Sequence, residues 1–208
     1  MSSDQGRYQP LSYFQLMEVS LRELLVEKGV ISEEAIGEEV AAMRARTPER
    51  GARVVARAWL DPQYRKRLLA NATAACEELG LEIPGLRLVA VENTPQVHNV
   101  IVCTLCSCYP RVLLGIPPDW YKSRGYRSRM VREPRAVLGE FGLHLPQETA
   151  IRVHDSTADM RYIVLPMRPA GTEGWAEARL AAIVGRDSMI GVAVPAKDEW
   201  QERPGPRR

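Results

Sequence analysis

The stretch NVIVCTLCSCYP, Asn99 to Pro110, is the most informative part of this sequence of 208 residues. Its β-branched run, Val100 to Val102, favours a buried strand. Three of the chain's four cysteines follow directly, within the six residues from Cys103 to Cys108. The pattern predicts a strand that leads into a loop of closely spaced thiols, called the cysteine loop below.

Outward from this stretch, short β-branched runs alternate with proline and glycine from Gly85 onward, which is typical of strands. Helical spacing interrupts them from Pro134 to Phe141 and after Thr172. The predicted strands are Leu86 to Val91, Val100 to Val102, Ile151 to Val153, Tyr162 to Leu165 and Ile190 to Val194.

Toward the N-terminus the signals change to those of helix starts. Ser12 and Ser32 are suitable caps, and proline follows Thr47 and Asp61 as it does at first helical positions. The helix that starts after Asp61 is predicted to stop at Gly80. We therefore expect an α+β protein, with a helical N-terminal arm (residues 1–50) and a layered α-β-β-α catalytic domain (residues 51–208). The arm either embraces a partner chain or packs on its own body.

Composition narrows the function classes. The net charge is +2 and 26% of the residues are charged, with both signs interspersed, so nucleic acid and anionic membrane are not expected partners. No apolar run is long enough to span a membrane, and no secretory signal is visible, which favours a cytoplasmic location. Cysteines grouped in such a chain indicate metal or redox chemistry.

Covalent connectivity decides which atoms of the cysteine loop can reach one metal ion. If the Cys106 sulfur and the Ser107 backbone nitrogen both bind, they close an unstrained six-membered ring, and the nitrogens of Ser107 and Cys108 close a five-membered one. Cys108 closes another ring with its own nitrogen and sulfur. Cys103 can then cap one axial face, which leaves the opposite position open for catalysis. Amide nitrogens as ligands favour a trivalent ion.

Other interpretations of the thiols remain open at this point. Zinc would need a fourth ligand, for which His98 is the nearest candidate. Cys103 and Cys106 have the spacing of a dithiol redox pair, although that leaves Cys108 unexplained. All three could also be free thiols. Cys76 lies beside the apolar face of a predicted helix and is expected to be a buried structural residue.

The residues of the cysteine loop resemble the metal site of nitrile hydratase alpha subunits and of the related thiocyanate hydrolase gamma subunit. The resemblance covers nearly the full length and is weakest in the first 50 residues. Its further motifs are Asn93 to Pro95, Val97 to Asn99, Leu114 to Lys122, Val131 to Arg135, Arg161 to Pro166 and Arg168 to Trp175.

The resemblance implies hydration of a nitrile to an amide at a non-corrin metal held by Cys103, Cys106, Ser107 and Cys108. It also implies oxidation of Cys106 to a sulfinic acid and of Cys108 to a sulfenic acid. Thr104 is similar to the cobalt-type members, so Co(III) is expected, with Fe(III) as the alternative. Either hydroxide on the metal or the Cys108 oxygen delivers oxygen to the nitrile. The Ser107 hydroxyl is expected to touch the axial ligand.

Partners follow from the resemblance as well. A beta subunit, in a heterodimer or heterotetramer, would supply cations to the oxidised sulfurs, since this chain offers only Arg111 for that purpose. An activator protein would load the metal, and the chain alone would be inactive. The alternatives are a thiocyanate hydrolase gamma-type subunit and a non-catalytic zinc or thiol binding module.

Arg111 departs from the family pattern, where tryptophan is common. A fixed cation beside the site suggests a polar or larger nitrile, such as a nucleoside-type nitrile as in toyocamycin nitrile hydratase. The basic segment Lys122 to Arg135 is interpreted as a solvated or subunit-facing surface with carboxylate pairs. Asp155, Asp159, Glu173 and His154 are taken as structural.

Overall fold

The computed structural model describes residues 11–106 and 108–197, which divide into two compact units between Met43 and Arg44. The first unit consists of two helices, α1 (Tyr13–Glu27) and α2 (Glu33–Arg44), of which α2 runs to the boundary. Both predicted caps are confirmed: the Ser12 hydroxyl accepts from the Gln15 amide, and the Ser32 hydroxyl accepts from the Ala35 amide at 3.0 Å. Neither helix has a buried residue.

The second unit holds the remaining described helices and all of the described strands. Asp61 caps α4 as predicted, with its carboxylate accepting from the amides of Gln63 and Tyr64 at 2.9 and 3.0 Å. The single helix expected up to Gly80 is wrong, because Asn71 ends α4 and its side chain caps α5 through the Ala74 amide. The helices are α3 (Glu49–Leu60), α4 (Pro62–Ala70), α5 (Ala72–Glu77), α6 (Arg111–Leu114), α7 (Asp119–Lys122), α8 (Arg124–Arg132), α9 (Pro134–Glu140), α10 (Glu177–Ala182) and α11 (Arg186–Ile190).

Four described strands form two separate two-stranded sheets, and both pairings are parallel. The strands are β1 (Arg87–Glu92), β2 (Val97–Val102), β3 (Ala150–Asp155) and β4 (Met160–Leu165). The first and last strands along the chain, β1 and β4, pair with each other, and the two strands between them in the sequence, β2 and β3, form the other pair. Parallel strands need long crossover connections, and α6 to α9 lie within the connection from β2 to β3.

The sheets lie between helices, in agreement with the mixed helix and strand class expected from the sequence. Helices α4 and α5 contact β1, the strands β1 and β4 contact β2, and α9 contacts β3. The core runs through both sheets and includes Val100, Ile101 and Val102 of β2, which are completely buried. The strand that leads into the cysteine loop is therefore a central element of the unit.

One predicted strand, Ile190 to Val194, is wrong. Ile190 ends the buried helix α11, and the chain then turns at Gly191, whose φ is 94°. Periodicity cannot distinguish a short buried strand from a short buried helix. The turn lies directly against β2, since a Cβ on Gly191 would stand 2.1 Å from the Asn99 carbonyl oxygen.

Two further residues are structural. Cys76 is fully buried in the core, as predicted, and burial raises its thiol pKa to about 12. His98 is also buried: its Nδ1 lies 3.2 Å from the side-chain nitrogen Nδ2 of Asn93, and its Nε2 lies 2.7 Å from the Gly191 carbonyl oxygen. In the described part of the chain, no helix has the length and apolar character needed to cross a membrane.

Candidate metal centre

The cysteine loop begins where two parallel strands end. In the register of β2 and β3, Val102 pairs with Asp155, and the Ser156 amide donates to the Val102 carbonyl at 2.8 Å. The carboxyl ends of parallel strands meet at one edge of a sheet, so Cys103 and Asp155 emerge side by side. The buried end of β2 thus holds the start of the loop in place.

Three sulfur atoms converge in this loop. The Cys103 and Cys106 sulfurs are 3.4 Å apart, those of Cys106 and Cys108 are 3.1 Å apart, and all three lie within 4.8 Å of one another. Cys103 is buried, Cys108 is half-buried and Cys106 is exposed. The arrangement is therefore open on one side, where a small molecule can approach.

Asp155 stabilises the start of the loop through two hydrogen bonds. Its carboxylate accepts from the Thr104 backbone amide at 2.9 Å and from the Thr104 hydroxyl at 2.5 Å. Both bonds are assisted by the carboxylate charge, and such bonds are stronger than neutral ones. Thr104 therefore has a structural task that is independent of any choice of metal.

Two side chains from the segment of α7 and α8 bind carbonyl groups of the loop. The buried Tyr121 hydroxyl donates to the Cys108 carbonyl at 2.9 Å, and an Arg127 guanidinium nitrogen donates to the Cys106 carbonyl. The Arg127 Nε is buried without a hydrogen-bond partner among the described residues. Side chains of α7 and α8 thus hold the loop at two of its peptide groups.

The Cys108 thiol is difficult to ionise in the absence of a cation. Burial, together with the hydrogen bond to Cys106, raises its pKa to about 12, while the nearby Arg161 charge acts in the opposite direction. A thiol in this state gives up its proton readily only when a metal ion replaces it. The buried Arg161 Nε, like that of Arg127, has no described hydrogen-bond partner.

The structure brings together some of the residues singled out in the sequence and separates others. Cys103, Cys106 and Cys108 converge, whereas His98 is held elsewhere by Asn93 and Gly191. Ser107 lies outside the described residues. Arg111 is exposed and begins α6.

Sequence reasoning missed the cations and the carboxylate around the loop. Arg127 belongs to the basic segment that was interpreted as a surface, and Asp155 was taken as merely structural. The expectation that Arg111 is the chain's only cation at the site is wrong, because Arg127 contacts the loop and the charge of Arg161 acts on Cys108. Among these residues, only Asp155 had a sequence signal, namely its position just after the predicted strand Ile151 to Val153.

The residues present fit a metal ion. Three thiols within bonding reach of one point form a soft donor set, which suits first-row transition metals. Among the described residues no histidine or carboxylate joins the three sulfurs in that group, so the fourth protein side chain of a closed zinc site is not found there. The geometry thus favours a site with non-side-chain ligands and open positions.

Comparisons with known proteins agree with this geometry. The family model described as "Nitrile hydratase, alpha chain" matches residues 12–193. The chain is 51% identical over 178 residues to the low-molecular-weight cobalt-containing nitrile hydratase subunit alpha of Rhodococcus rhodochrous, covering 85% of this chain and 86% of that protein. It is 46% identical over 199 residues to the thiocyanate hydrolase subunit gamma of Thiobacillus thioparus, covering 89% and 81%.

A solved structure is also similar along most of its length. This is a double mutant of the Fe-type nitrile hydratase from Comamonas testosteroni Ni1, with a TM-score of 0.86, 41% sequence identity and coverage of 95% of this chain and 98% of that chain. Proteins named for cobalt and for iron are therefore both similar to this chain, at 51% and 41% identity respectively.

Proposed function

The chain belongs to the nitrile hydratase alpha chain family, and from that premise we propose that its cysteine loop holds the metal ion at which a nitrile is hydrated to an amide. The observation that carries the proposal is the convergence of the Cys103, Cys106 and Cys108 sulfurs within 4.8 Å at the end of β2. The Ser107 and Cys108 backbone nitrogens complete the ligand set.

Cobalt(III) is the metal of choice. Relatives at 51% and 50% identity are named as cobalt-containing, whereas the iron-type structure is 41% identical. Thiolate donors accept either ion, so the donor set alone does not discriminate. Metal analysis that finds iron in place of cobalt would overturn this choice.

A bound trivalent ion supplies Lewis acidity, which polarises a nitrile carbon and lowers the pKa of water. Oxidation by molecular oxygen converts the exposed Cys106 to a sulfinic acid and the half-buried Cys108 to a sulfenic acid. The Cys108 oxygen would then take the proton of a water molecule that attacks the nitrile carbon, or would itself attack that carbon, in which case a water molecule replaces the transferred oxygen on the sulfur. The Ser107 hydroxyl orients the substrate or water.

The residues around the loop keep these groups in place. Asp155 fixes Thr104, Tyr121 fixes the Cys108 carbonyl, and the charge of Arg161 favours an anionic Cys108 sulfur. Catalytic groups must be held to a fraction of an ångström by such supporting contacts. We assign these residues the role of positioning Cys108.

A beta subunit completes the site. Alpha subunits of nitrile hydratases work with a beta subunit, and here Leu105 of the cysteine loop is 90% exposed. Exposed apolar side chains beside a reactive site are typical of surfaces that a partner covers. The proposed assembly is a heterodimer or heterotetramer, into which an activator protein loads the metal. The proposed location is the cytoplasm, and cell fractionation tests it.

The experiment compares cysteine variants of the chain, co-expressed with the beta subunit and activator in medium containing cobalt. Cys103→Ala, Cys106→Ala and Cys108→Ala should each lose cobalt and nitrile hydration. Cys76→Ala is the matched control, because it removes a buried thiol outside the loop and should keep one cobalt per chain. The readouts are metal content and the intact mass of the peptide with Cys106 and Cys108, which should gain three oxygens. Zinc bound to unmodified thiols would contradict the proposal.

Thiocyanate hydrolysis is the second candidate, because the similarity to the thiocyanate hydrolase gamma subunit covers 89% of the chain. The same preparation is therefore given thiocyanate and nitriles in parallel. Hydration of nitriles with no consumption of thiocyanate supports the first candidate, and the reverse supports the second.

Arg111 directs the choice of nitrile. It begins α6, two residues beyond Tyr109, and its exposed cation favours a polar or larger nitrile, such as a nucleoside-type nitrile. An Arg111→Trp variant should shift the preference toward small aliphatic nitriles. Equal turnover of acrylonitrile and bulky polar nitriles by the unmodified protein would contradict this assignment.

A further inference from the structure

Arg127 lies on α8, outside the cysteine loop in the sequence, and yet its guanidinium donates to a carbonyl group of the loop. The acceptor is the Cys106 oxygen, 21 positions earlier in the chain. The Arg127 side chain is half-buried, and its Nε is buried without a described hydrogen-bond partner. A cation kept in such a place costs free energy unless negative charge stands near it.

The position of the contact is specific. The Cys106 carbonyl oxygen and the Ser107 nitrogen belong to the same peptide group, whose electrons are delocalised over oxygen, carbon and nitrogen. When the Ser107 nitrogen binds a metal ion and its proton passes to solvent, part of the resulting negative charge appears on the Cys106 oxygen. A guanidinium on that oxygen forms a charge-assisted hydrogen bond, which is about twice as strong as a neutral one.

The tyrosine contact next to it provides a contrast. Tyr121 donates to the Cys108 carbonyl, which shares its peptide group with the Tyr109 nitrogen. That nitrogen is outside the ligand set of the proposed function. A neutral hydroxyl thus holds the peptide group that stays neutral, and a cation holds the peptide group that becomes anionic.

We propose that Arg127 is a positioning residue for metal acquisition, which stabilises the Ser107 peptide group in the form that binds the metal. The inference rests on the proposed function, since it needs the Ser107 nitrogen as a ligand. It predicts that the positive charge of residue 127 matters for metal retention and that its packing alone does not suffice.

The test uses the complete complex, co-expressed with beta subunit and activator and supplied with cobalt. Arg127→Met keeps the length of the side chain without its charge, and Arg127→Lys keeps the charge without the planar fork. Arg132→Met is the matched control, because Arg132 is an exposed residue of the same helix whose Nε donates only to the Ser128 carbonyl. Melting temperature and gel filtration verify folding and assembly of each variant.

Three readouts are independent of turnover: cobalt per chain, the sulfur-to-cobalt absorption band, and the rate of cobalt release to a chelator. Arg127→Met should release cobalt about tenfold faster or more, as expected for loss of one charged hydrogen bond. Arg127→Lys should fall between it and the unmodified protein, and Arg132→Met should not differ. A shifted absorption band in Arg127→Met would show that loss of the charge alters the electron donation from the ligands to cobalt.

Arg127→Met with full cobalt, an unchanged band and unchanged release would overturn the inference and leave the proposed function intact. An unmodified complex that binds no cobalt and hydrates no nitrile would overturn both. If Arg127→Met does not assemble, Arg127→Gln serves as a second uncharged replacement and is compared with Arg127→Lys. Cobalt release from Arg127→Gln that is no faster than from Arg127→Lys shows that the charge of residue 127 is dispensable and overturns the positioning role.

Discussion

Replacement of Gly191 by alanine is the most severe single-methyl change that the structure predicts near the site. Gly191 has a φ of 94°, and its carbonyl accepts from the buried His98 ring. A Cβ there would lie 2.1 Å from the Asn99 carbonyl oxygen and 2.8 Å from the Val100 Cα. Both atoms belong to the backbone of β2, so neither can rotate away.

The expected cost has two parts. A left-handed backbone costs a residue with a Cβ about 1–2 kcal/mol. Ordinary van der Waals contact begins at 3.4 Å, so relief of the contact with Asn99 requires a backbone shift of about 1.3 Å, the difference between 3.4 and 2.1 Å. We expect a total loss of more than about 4 kcal/mol, in the range that core disruption produces.

Gly142→Ala is the matched control. Gly142 also has a left-handed φ, of 80°, but a Cβ there would meet nothing within 4 Å. It should therefore show the backbone cost alone, and a chain of this length loses about 2–4 °C in melting temperature per kcal/mol. Calorimetry of the co-expressed complex measures both variants, together with soluble yield.

We expect Gly191→Ala to melt well below Gly142→Ala or to be insoluble, and to carry less cobalt, because the displaced strand leads into Cys103. If the two variants melt within about 2 °C of each other, the close approach of the turn to β2 is not the constraint that the structure indicates, and the argument fails.

Three further outcomes are expected. Asp155→Ala should weaken cobalt retention more than Asp155→Asn, because the asparagine side chain keeps one oxygen that accepts from Thr104. A hydrogen bond to a charged group is worth about 1.5–3 kcal/mol, and less where both residues are exposed, as here. Equal rates of cobalt release to a chelator from the two variants would contradict this prediction. Tyr121→Phe should speed cobalt release, whereas Tyr126→Phe, which removes a hydroxyl bound to the Ile101 carbonyl of β2, should lower mainly the melting temperature; the opposite ranking would refute the assignment. Burial lowers the pKa of His98 below its usual 6.5, so the unfolded chain takes up protons first, and stability should fall as the pH drops below about 6.5. His98→Gln should flatten this slope in urea unfolding, with a remainder from His154, whose pKa burial also lowers; an unaltered slope would exclude His98 as its source.

Much of the local structure could be predicted because it depends on neighbouring residues. The caps at Ser12, Ser32 and Asp61 follow from side chains that reach amides two or three residues ahead. The strand leading into the cysteine loop followed from its β-branched run. The failures at Asn71 and Ile190 have different causes. The apolar spacing continues across Asn71, where the chain ends one helix and the Asn71 side chain caps the next. At Ile190 the buried pattern is too short for its period to distinguish helix from strand.

The partners of the cysteine loop could not be predicted in this way. Asp155 lies 51 positions after Thr104, and Arg127 lies 21 positions after Cys106. Each comes from an element whose own pattern gives no information on what it packs against. The parallel register of β2 with β3, which places Asp155 beside Cys103, depends on the crossover through α6 to α9.

The amino-acid sequence by itself determined the candidate donors, because the spacing of Cys103, Cys106 and Cys108 fixes through covalent bonds which sulfurs and nitrogens are able to reach one point. Only the tertiary structure decided what surrounds those donors. Charge-assisted contacts such as those of Asp155 and Arg127 act across space, and residues far apart in the chain meet only after the sheets and helices have packed. The sequence thus specified the candidate metal ligands, and the fold specified the contacts that support them.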